Sequence, residues 1–522
     1  MIFPEIFKVA ETLSDSETWL DGNEYKFCIM LMNSDGDFIQ LPNRVIAMIK
    51  IEDDLFSPFS NGVIFLDNRF DSFENYHVKN AASAVETDRP RSFRLKHDGL
   101  DLALIKIRPI LRDDKAEPLA NETNFPDHIW ELSYIFSIYD EDERHQPNTI
   151  DRKVKALYLK DAKEQILSQT NIHWSTAEML DYLNMAGFDV TQASNGSRGV
   201  HVGDGIRYCI EKSFKDKKFL NQDISNEFDP QWEKGRNKSF YSSPAEFSAM
   251  DDIETLLDRM VSADVLDNCI LQYNRDRIWS LLPFSEYFDR VFTKDTRLPG
   301  DFHIDLFPLA QPDGPGAQDN IKMIPGMSRN AFDLDMNIDD FAGLSNYSFA
   351  DISTTDSMSE LISHAVHSYN PRTKKFSIDI KNHNIKNAKA DFQKLYIDKK
   401  MYGESPDALI PFDNSQEENK ILKHTFSGAT DPIERYKKGR NSIFNKSIAL
   451  APCMTFDLPG LTYRRSGRFL SIVNTQDTPD VPFQDIMQGQ WLITNVVHTI
   501  AGASYRNSIT CSKPYSYKKI GL

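Results

Sequence analysis

RVIAMIKIEDDLFSPFSNGVIFLDNR, residues Arg44–Arg69, opens with Val45, Ala47, Ile49 and Ile51 alternating along one side and Ile46 and Met48 on the other. Apolar residues on both sides predict a strand covered on both faces. Ser57-Pro58-Phe59-Ser60-Asn61-Gly62 then has the chemistry of a turn, and it leads into the apolar run Val63–Leu66. Further along, Leu100–Ile110 and Trp130–Ile138 read as strands. In the second, Trp130, Leu132, Tyr134, Phe136 and Ile138 alternate with Glu131, Ser133 and Ser137. Sustained β segments joined by long polar loops predict a barrel or sandwich.

Beyond Asp151 the period changes. Leu159, Ala162, Ile166 and Leu167 have helical spacing, as do Met179, Leu180 and Leu183, with Gly187 as a helix stop. Ile206, Cys209, Ile210 and Phe214 predict another helix. Met250, Ile253, Leu256, Leu257, Met260, Val261 and Val265 form the clearest stripe, with Asp251 and Glu254 placed for a capping box. A hairpin is expected around Tyr273–Asp276. The stretch from Leu309 to Ile324 reads as a linker. β patterning returns in Leu361–Ile385, with a turn at Asn370–Thr373. It is strongest in Phe469–Val473, Trp491–Ile500 and Ser504–Cys511, the last two flanking Ala501-Gly502-Ala503. Residues Lys386–Arg440 are strongly polar and read as an insertion. The predicted class is α+β and multidomain: β over 1–155, an α-rich region with a hairpin over 156–345, and β again over 346–515, with the insertion near 386–440.

The chain of 522 residues is too long for one core. Its formal charge of −17 disfavours stable binding to nucleic acid, which calls for concentrated Lys and Arg. Cys28, Cys209, Cys269, Cys453 and Cys511 form no CxxC pair and read as reduced thiols. No signal peptide and no membrane-spanning run is expected.

Catalytic motifs are not found: GxxxxGK[ST], GxSxG, HExxH and the EF-hand loop are all missing from the sequence. The glycine-rich run Asn195–Gly205 precedes a predicted helix and could cradle an anion, although a surface loop is the stronger reading. Glu360, His364 and His367 would share a helix face and are the metal candidates, against a plain pair of histidines at an element end. Asp53-Asp54 and Asp140–Glu143 read as solvated acidic loops in preference to a glycosidase pair. Lys437-Lys438-Gly439-Arg440 and Arg464-Arg465 are basic clusters that fit either a solvated surface or an acidic partner. No catalytic residue, metal or cofactor is assigned.

Three blocks carry a resemblance. They are Ile51–Arg69 (IEDDLFSPFSNGVIFLDNR), Met250–Phe288 (MDDIETLLDRMVSADVLDNCILQYNRDRIWSLLPFSEYF), and Leu458–Ile472 with Gly489–Tyr515. In the last block the features that match are Val496-x-His498, the glycine turn and Tyr505-x-Asn507. In this order the blocks resemble phage baseplate hub proteins of the T4-type hub family and, more distantly, the hub part of type VI secretion spike proteins. The resemblance implies two tube-like β domains per chain and a homotrimer around an axial channel. It implies tail tube or tube-initiator proteins on one side and a trimeric spike protein on the other. Tape-measure protein and baseplate wedges are further candidate partners, and DNA would pass the channel without stable binding. The implied location is the tail baseplate of the virion, after assembly in the host cytoplasm. The chain would then be a structural subunit and no enzyme; a receptor-binding or carbohydrate-active tail protein is the alternative. Candidate interface residues are Phe56, Pro58 and Phe59 in the first hairpin, Tyr463, Arg464 and Arg465, and Trp491, with core or turn duty the competing reading for the aromatics.

Overall fold

The computed structural model describes residues 20–21, 25–67, 79–80, 93–96, 98–109, 132–145, 153–173, 200–215, 227–235, 238–239, 243–260, 269–273, 278–284, 302–305, 345–351, 363–370, 375–382, 421–427, 452–460, 464–467, 469–473, 489–502 and 504–512, with a few isolated positions. The first section supplies β1 (Tyr25–Met32), β2 (Asp37–Gln40), β3 (Ile46–Asp54), β4 (Asn61–Asp67), β5 (Leu102–Pro109), β6 (Leu132–His145) and β7 (Lys153–Asp161). Helices α1 (Ala162–Gln169), α2 (Val202–Lys215) and α3 (Ala249–Arg259) follow, then the hairpin of β8 (Cys269–Tyr273) and β9 (Trp279–Pro283). Then come β10 (Phe302–Asp305), β11 (Ser345–Asp351), β12 (Ser363–Asn370), β13 (Lys375–Asn382) and β14 (Ile421–Ser427). The last section holds β15 (Pro452–Pro459), β16 (Phe469–Val473), β17 (Gly489–Ala501) and β18 (Ser504–Ser512).

One large sheet takes strands from both ends of the chain, in the order β11-β15-β18-β17-β3-β4-β7-β6-β5-β1-β2. The join is antiparallel, from Asn495 opposite Asp54 to Ile500 opposite Ile49. Of the expected barrel or sandwich domains, no barrel closes among the described residues. β3 gives its second edge to β17, the edge that a self-contained first section would need for its own closure. The described residues are also more strand-rich than an α+β label implies, with α1, α2 and α3 layered on one side.

β1 shows how the layers arise. Phe27, Ile29 and Leu31 enter one core cluster, and Cys28, Met30 and Met32 enter another, as the two-residue period of a strand requires. The first cluster also draws on β3, β4, β5, β6, β7 and, through Ile500 and Tyr505, on β17 and β18, so the sheet curls over it. The second lies between sheet and helices and contains Ile166, Ile206, Ile210, Ile253 and Trp279. The opening stretch differs: Ile49 and Ile51 of β3 enter the first cluster, but Lys50 on the other face is exposed and no β3 residue enters the second, so the expectation of cover on both faces is corrected to one.

Helix α1 starts where Asp161 accepts the Lys163 N–H at 2.8 Å. The capping box of α3 lies three residues earlier than the expected Asp251/Glu254 pair: Ser248 Oγ accepts the Asp251 N–H and Asp251 Oδ2 accepts the Ser248 N–H. Asp251 serves as the acidic partner at N3, and Ser248 is the cap. The helix stops at Arg259, because Met260 turns to extended backbone. The expected helical stripe at Met179, Leu180 and Leu183, the continuation at Val261 and Val265, and the Leu309–Ile324 linker lie outside the described residues.

β12, β13 and β14 make a separate three-stranded sheet, with β12 and β14 parallel. β14 falls inside the polar insertion, so part of that segment is strand. His364 and His367 lie in β12, an extended strand. The helical spacing that made them metal candidates does not apply, and Glu360 lies outside the described residues.

Candidate functional site

The turn between β3 and β4 is the place where all three sequence blocks meet. On its strand side, Asp53 follows Ile49 and Ile51 at two-residue intervals and shares their inward face, so it is buried. The reading of Asp53 as part of a solvated acidic loop is thereby corrected, while Asp140 is exposed as expected. His498 occupies an inward position of β17, and Asn507 sits directly opposite it on β18. Both are almost fully buried, at 1% and 0% exposure.

These side chains form one connected network. Arg464, buried, donates through Nη1 to Asn507 Oδ1 at 3.0 Å. That bond fixes the amide so that its NH₂ faces His498 Nδ1 at 2.8 Å. Tyr505 Oη stands 2.7 Å from the same nitrogen. An NH₂ group can only donate, so Nδ1 is the acceptor and the imidazole hydrogen belongs on Nε2. Nε2 faces Asp53 Oδ2 at 3.9 Å. The Asp53 carboxylate accepts from Tyr134 Oη, at 3.2 Å to each oxygen, and from Ser60 Oγ. Nearby, Leu55 N–H donates to Thr494 O at 2.8 Å and Asn495 Nδ2 donates to Glu52 Oε1 at 2.6 Å.

Gly460 completes this side. Its N–H donates to Tyr505 O at 2.8 Å, and a Cβ added there would lie 2.2 Å from the Tyr505 ring. Gly460→Ala is therefore expected to cost about 1–3 kcal/mol by overpacking, read by denaturant unfolding. An unchanged midpoint would show that the ring can move aside.

The other side of the same turn docks on the β8–β9 hairpin. Tyr273 N–H donates to Pro58 O at 2.9 Å, and Gln272 Nε2 donates to Leu55 O at 3.2 Å. Phe59 meets Trp279 edge-on with ring centroids 5.5 Å apart, and Phe56 lies 6.0 Å from Phe284. Phe59 and Trp279 are buried, whereas Phe56 keeps 38% of its surface exposed. Beneath them, Lys163 pairs with Glu227 at 2.9 Å and stands 4.0 Å from the Tyr273 ring centroid. Burial alone would lower the Lys163 ammonium, but Tyr273 and Glu227 outweigh it and hold its pKa above the ordinary lysine value. Burial pushes the Tyr273 phenol up to about 12, against the opposing pull of Lys163.

Both shifts have the same linkage sign. Each group holds its proton more firmly folded than unfolded, so its contribution is fully present below the unfolded pKa and is lost as pH rises towards the folded one. Stability is therefore expected to fall above about pH 10, where tyrosine and lysine begin to titrate in the unfolded chain. Tyr273→Phe should flatten that fall in alkaline unfolding curves, because it removes one titrating group and a partner that helps hold the Lys163 proton. An identical alkaline profile in the variant would rule the pair out as its source.

The remaining candidates are placed as follows. Trp491 is wholly buried and Arg465 half-buried, while Tyr463 lies outside the described residues. The part of the glycine-rich run that is described, Val200–Gly205, is tightly covered. Gly203 N–H donates to Lys234 O at 3.0 Å, and a Cβ on Gly203 would meet Glu233 O at 2.0 Å. The backbone of residues 233 and 234 occupies the space an anion would need at Gly203. The sequence reading missed Tyr134, Lys163 and Glu227 as site residues, and it noted Asp53 but took it as solvated. The available signal for Asp53, His498 and Asn507 was a polar residue at an inward position of an otherwise apolar alternation.

No protein-family model matches the chain, and no curated protein matches it. Among solved structures it is similar to the 43 kDa tail protein of prophage MuSo2 from Shewanella oneidensis, at 9% identity and TM-score 0.38, over 94% of this chain and 98% of that one. It is similar to the tail protein from Neisseria meningitidis MC58 at 7% identity and TM-score 0.39, over 94% and 99%. It is also similar to a chain of the Francisella PdpA-VgrG complex at 10% identity and TM-score 0.42, over 98% of this chain and 62% of that one.

Proposed function

We propose that the chain is a structural subunit of a contractile tail, a baseplate hub that joins a tail tube to a central spike and has no catalytic role. The observation that carries this reading is the meeting of the three blocks. They resemble hub proteins by their order along the sequence, and the residues behind that resemblance touch one another around a single turn. Phe59 and Trp279 join the first and middle blocks. β3 and β17 join the first and last.

In this reading three copies surround an axial channel, and the terminal β sections of each provide two tube-like units. Among the described residues the large sheet is open, its main path ending in β11 on one side and in β2 with residues 79–80 on the other, with β16 and β10 branching from β17. Neighbouring copies in a ring would cover such edges, which otherwise template aggregation. A chain of formal charge −17 suits a channel that DNA crosses without adhering. The test is to mix the purified chain with the tube and spike proteins of the same particle and measure mass in solution. A trimer that captures both is expected. A monomer that binds neither would sink the proposal.

A further inference from the structure

We infer that the seam between β3 and β17 is an acid-sensitive lock, closed by neutral His498. His498 Nδ1 stands 2.8 Å from Asn507 Nδ2, whose amide hydrogen takes its lone pair, and 2.7 Å from Tyr505 Oη, inside a site where the ring is 1% exposed. A proton on Nδ1 would point an N–H at the Asn507 NH₂. Tyr505 can rotate its hydroxyl to accept, but Asn507 cannot. Turning the amide over would offer Oδ1 to the ring and set its NH₂ against the Arg464 guanidinium, which now donates to that oxygen at 3.0 Å. Either arrangement leaves two donors facing each other in a buried site, a costly defect.

The charged groups around the ring pull in opposite directions. Arg464, from the segment before β16, lies one amide away and opposes a second positive charge. Asp53, from β3, favours it, but its nearer oxygen is 3.9 Å from Nε2, and the carboxylate already accepts from Tyr134 of β6 and from Ser60 of the turn. The donor conflict at Nδ1 is a direct contact and decides the sign. Neutral His498 is the form the seam is built for. The sheet join it supports is then fully present above the ordinary imidazole value of about 6.5 and is lost as pH falls below it.

Hydrogen exchange of the full chain, corrected for intrinsic rates, tests this. Between about pH 7.5 and pH 5.5, protection of residues 46–54 and 489–501 should fall about tenfold for each pH unit below the imidazole range, as uptake of one proton requires. The β1–β5 pairing, which holds no histidine, should change little. Equal changes in both regions, or none in the seam, would overturn the inference. His498→Asn keeps an acceptor near the Nδ1 position without a titratable ring, so its seam protection should not vary with pH. A wild-type pH response in that variant would be fatal. If the variant does not fold, ring-labelled histidine in the wild-type chain decides by nuclear magnetic resonance. A neutral ring with bare Nδ1 at pH 7.5, taking up its proton as protection drops, supports the lock. A ring already charged at pH 7.5, or one that titrates with protection unchanged, rejects it.

Discussion

Trp279→Ala is expected to destabilise the fold by about 3–5 kcal/mol, the cost of removing a wholly buried large aromatic. Trp279 is held on three sides: Phe59 edge-on at 5.5 Å, Tyr273 at 4.7 Å and Phe214 at 6.4 Å between ring centroids. These rings come from the β3–β4 turn, the β8–β9 hairpin and α2, so alanine would open a void shared by three elements. The local backbone has little room to collapse into it, because Tyr273 N–H is bonded to Pro58 O and Asp229 N–H donates to Trp279 O at 2.9 Å. A milder variant sharpens the test. Among the described residues Trp279 Nε1 is buried without a hydrogen-bond partner, so the indole N–H adds a desolvation cost and no bond. Trp279→Phe should therefore retain most of the stability, and denaturant unfolding of the two variants side by side should separate them by well over about 1 kcal/mol. A double-mutant cycle with Phe59→Ala should show coupling of about 0.5–1.5 kcal/mol, the usual worth of an aromatic pair. Equal losses in the Ala and Phe variants would mean that packing around the ring is not the source.

Much of this arrangement was legible in the sequence, for definite physical reasons. Alternation is local, so β3, β6, β17 and β18 could be read from Arg44–Phe56, Trp130–Ile138, Trp491–Ile500 and Ser504–Cys511 without knowing their partners. The turn at Gly502 was legible because its φ of +59° suits glycine. Helical spacing gave α2 and α3 in the same way. Pairing is not local. That β3 joins β17, some 440 residues away, depends on which edge is left open after β4 has paired, and no periodicity encodes it. Hence two separate barrel or sandwich domains were expected where one continuous sheet joins both sections. The histidines at 364 and 367 show the same limit: their spacing fits a helix face, but a turn at Asn370 followed by another strand put them in a hairpin.

The site itself was half legible. Val496-x-His498 and Tyr505-x-Asn507 stood out as a pattern, and the structure gives the pattern a cause. Residues two apart on adjacent strands face the same interior, so His498, Tyr505 and Asn507 converge by register alone. Arg464 looked like surface charge because a basic pair on a loop usually is. It is buried because Asn507 Oδ1 sits within reach of its guanidinium. Asp53 looked solvated for a similar reason, since half of the Asp53-Asp54 pair must face outward in a strand and the sequence does not say which. The pairing of buried Lys163 with half-buried Glu227 was invisible, because its members are 64 residues apart and neither lies in a motif.

Asp53→Ala is expected to cost about as much as loss of Trp279, by a different mechanism. The Asp53 carboxylate accepts from Tyr134 and Ser60 and faces the Nε2–H of His498. Alanine would leave the buried Tyr134 hydroxyl and the half-buried Ser60 hydroxyl without their acceptor and remove the charge facing His498. Each unmet buried donor costs about 1–3 kcal/mol, and donors of one network do not add independently, so about 3–5 kcal/mol is expected in denaturant unfolding. Asp53→Asn retains one carbonyl acceptor at the same place and should lose roughly half as much. The location of the damage is the more telling readout. Tyr134 lies in β6 and Ser60 in the turn, whereas His498 lies in β17, so Asp53 adds a side-chain link between the first section and the last beside the β3–β17 ladder and the Leu55–Thr494 and Asn495–Glu52 bonds. Amide exchange in the variant should therefore rise along residues 46–54 and 489–501 before it rises along β1 and β5, whose pairing runs from Tyr25 opposite Pro109 to Met32 opposite Leu102. Uniform loosening of both regions would mean that the network merely contributes to a common core. A loss confined to β3 and β17 would establish that one buried carboxylate governs whether the two ends of this chain stay joined, the condition that any role requiring both β sections at once imposes on it.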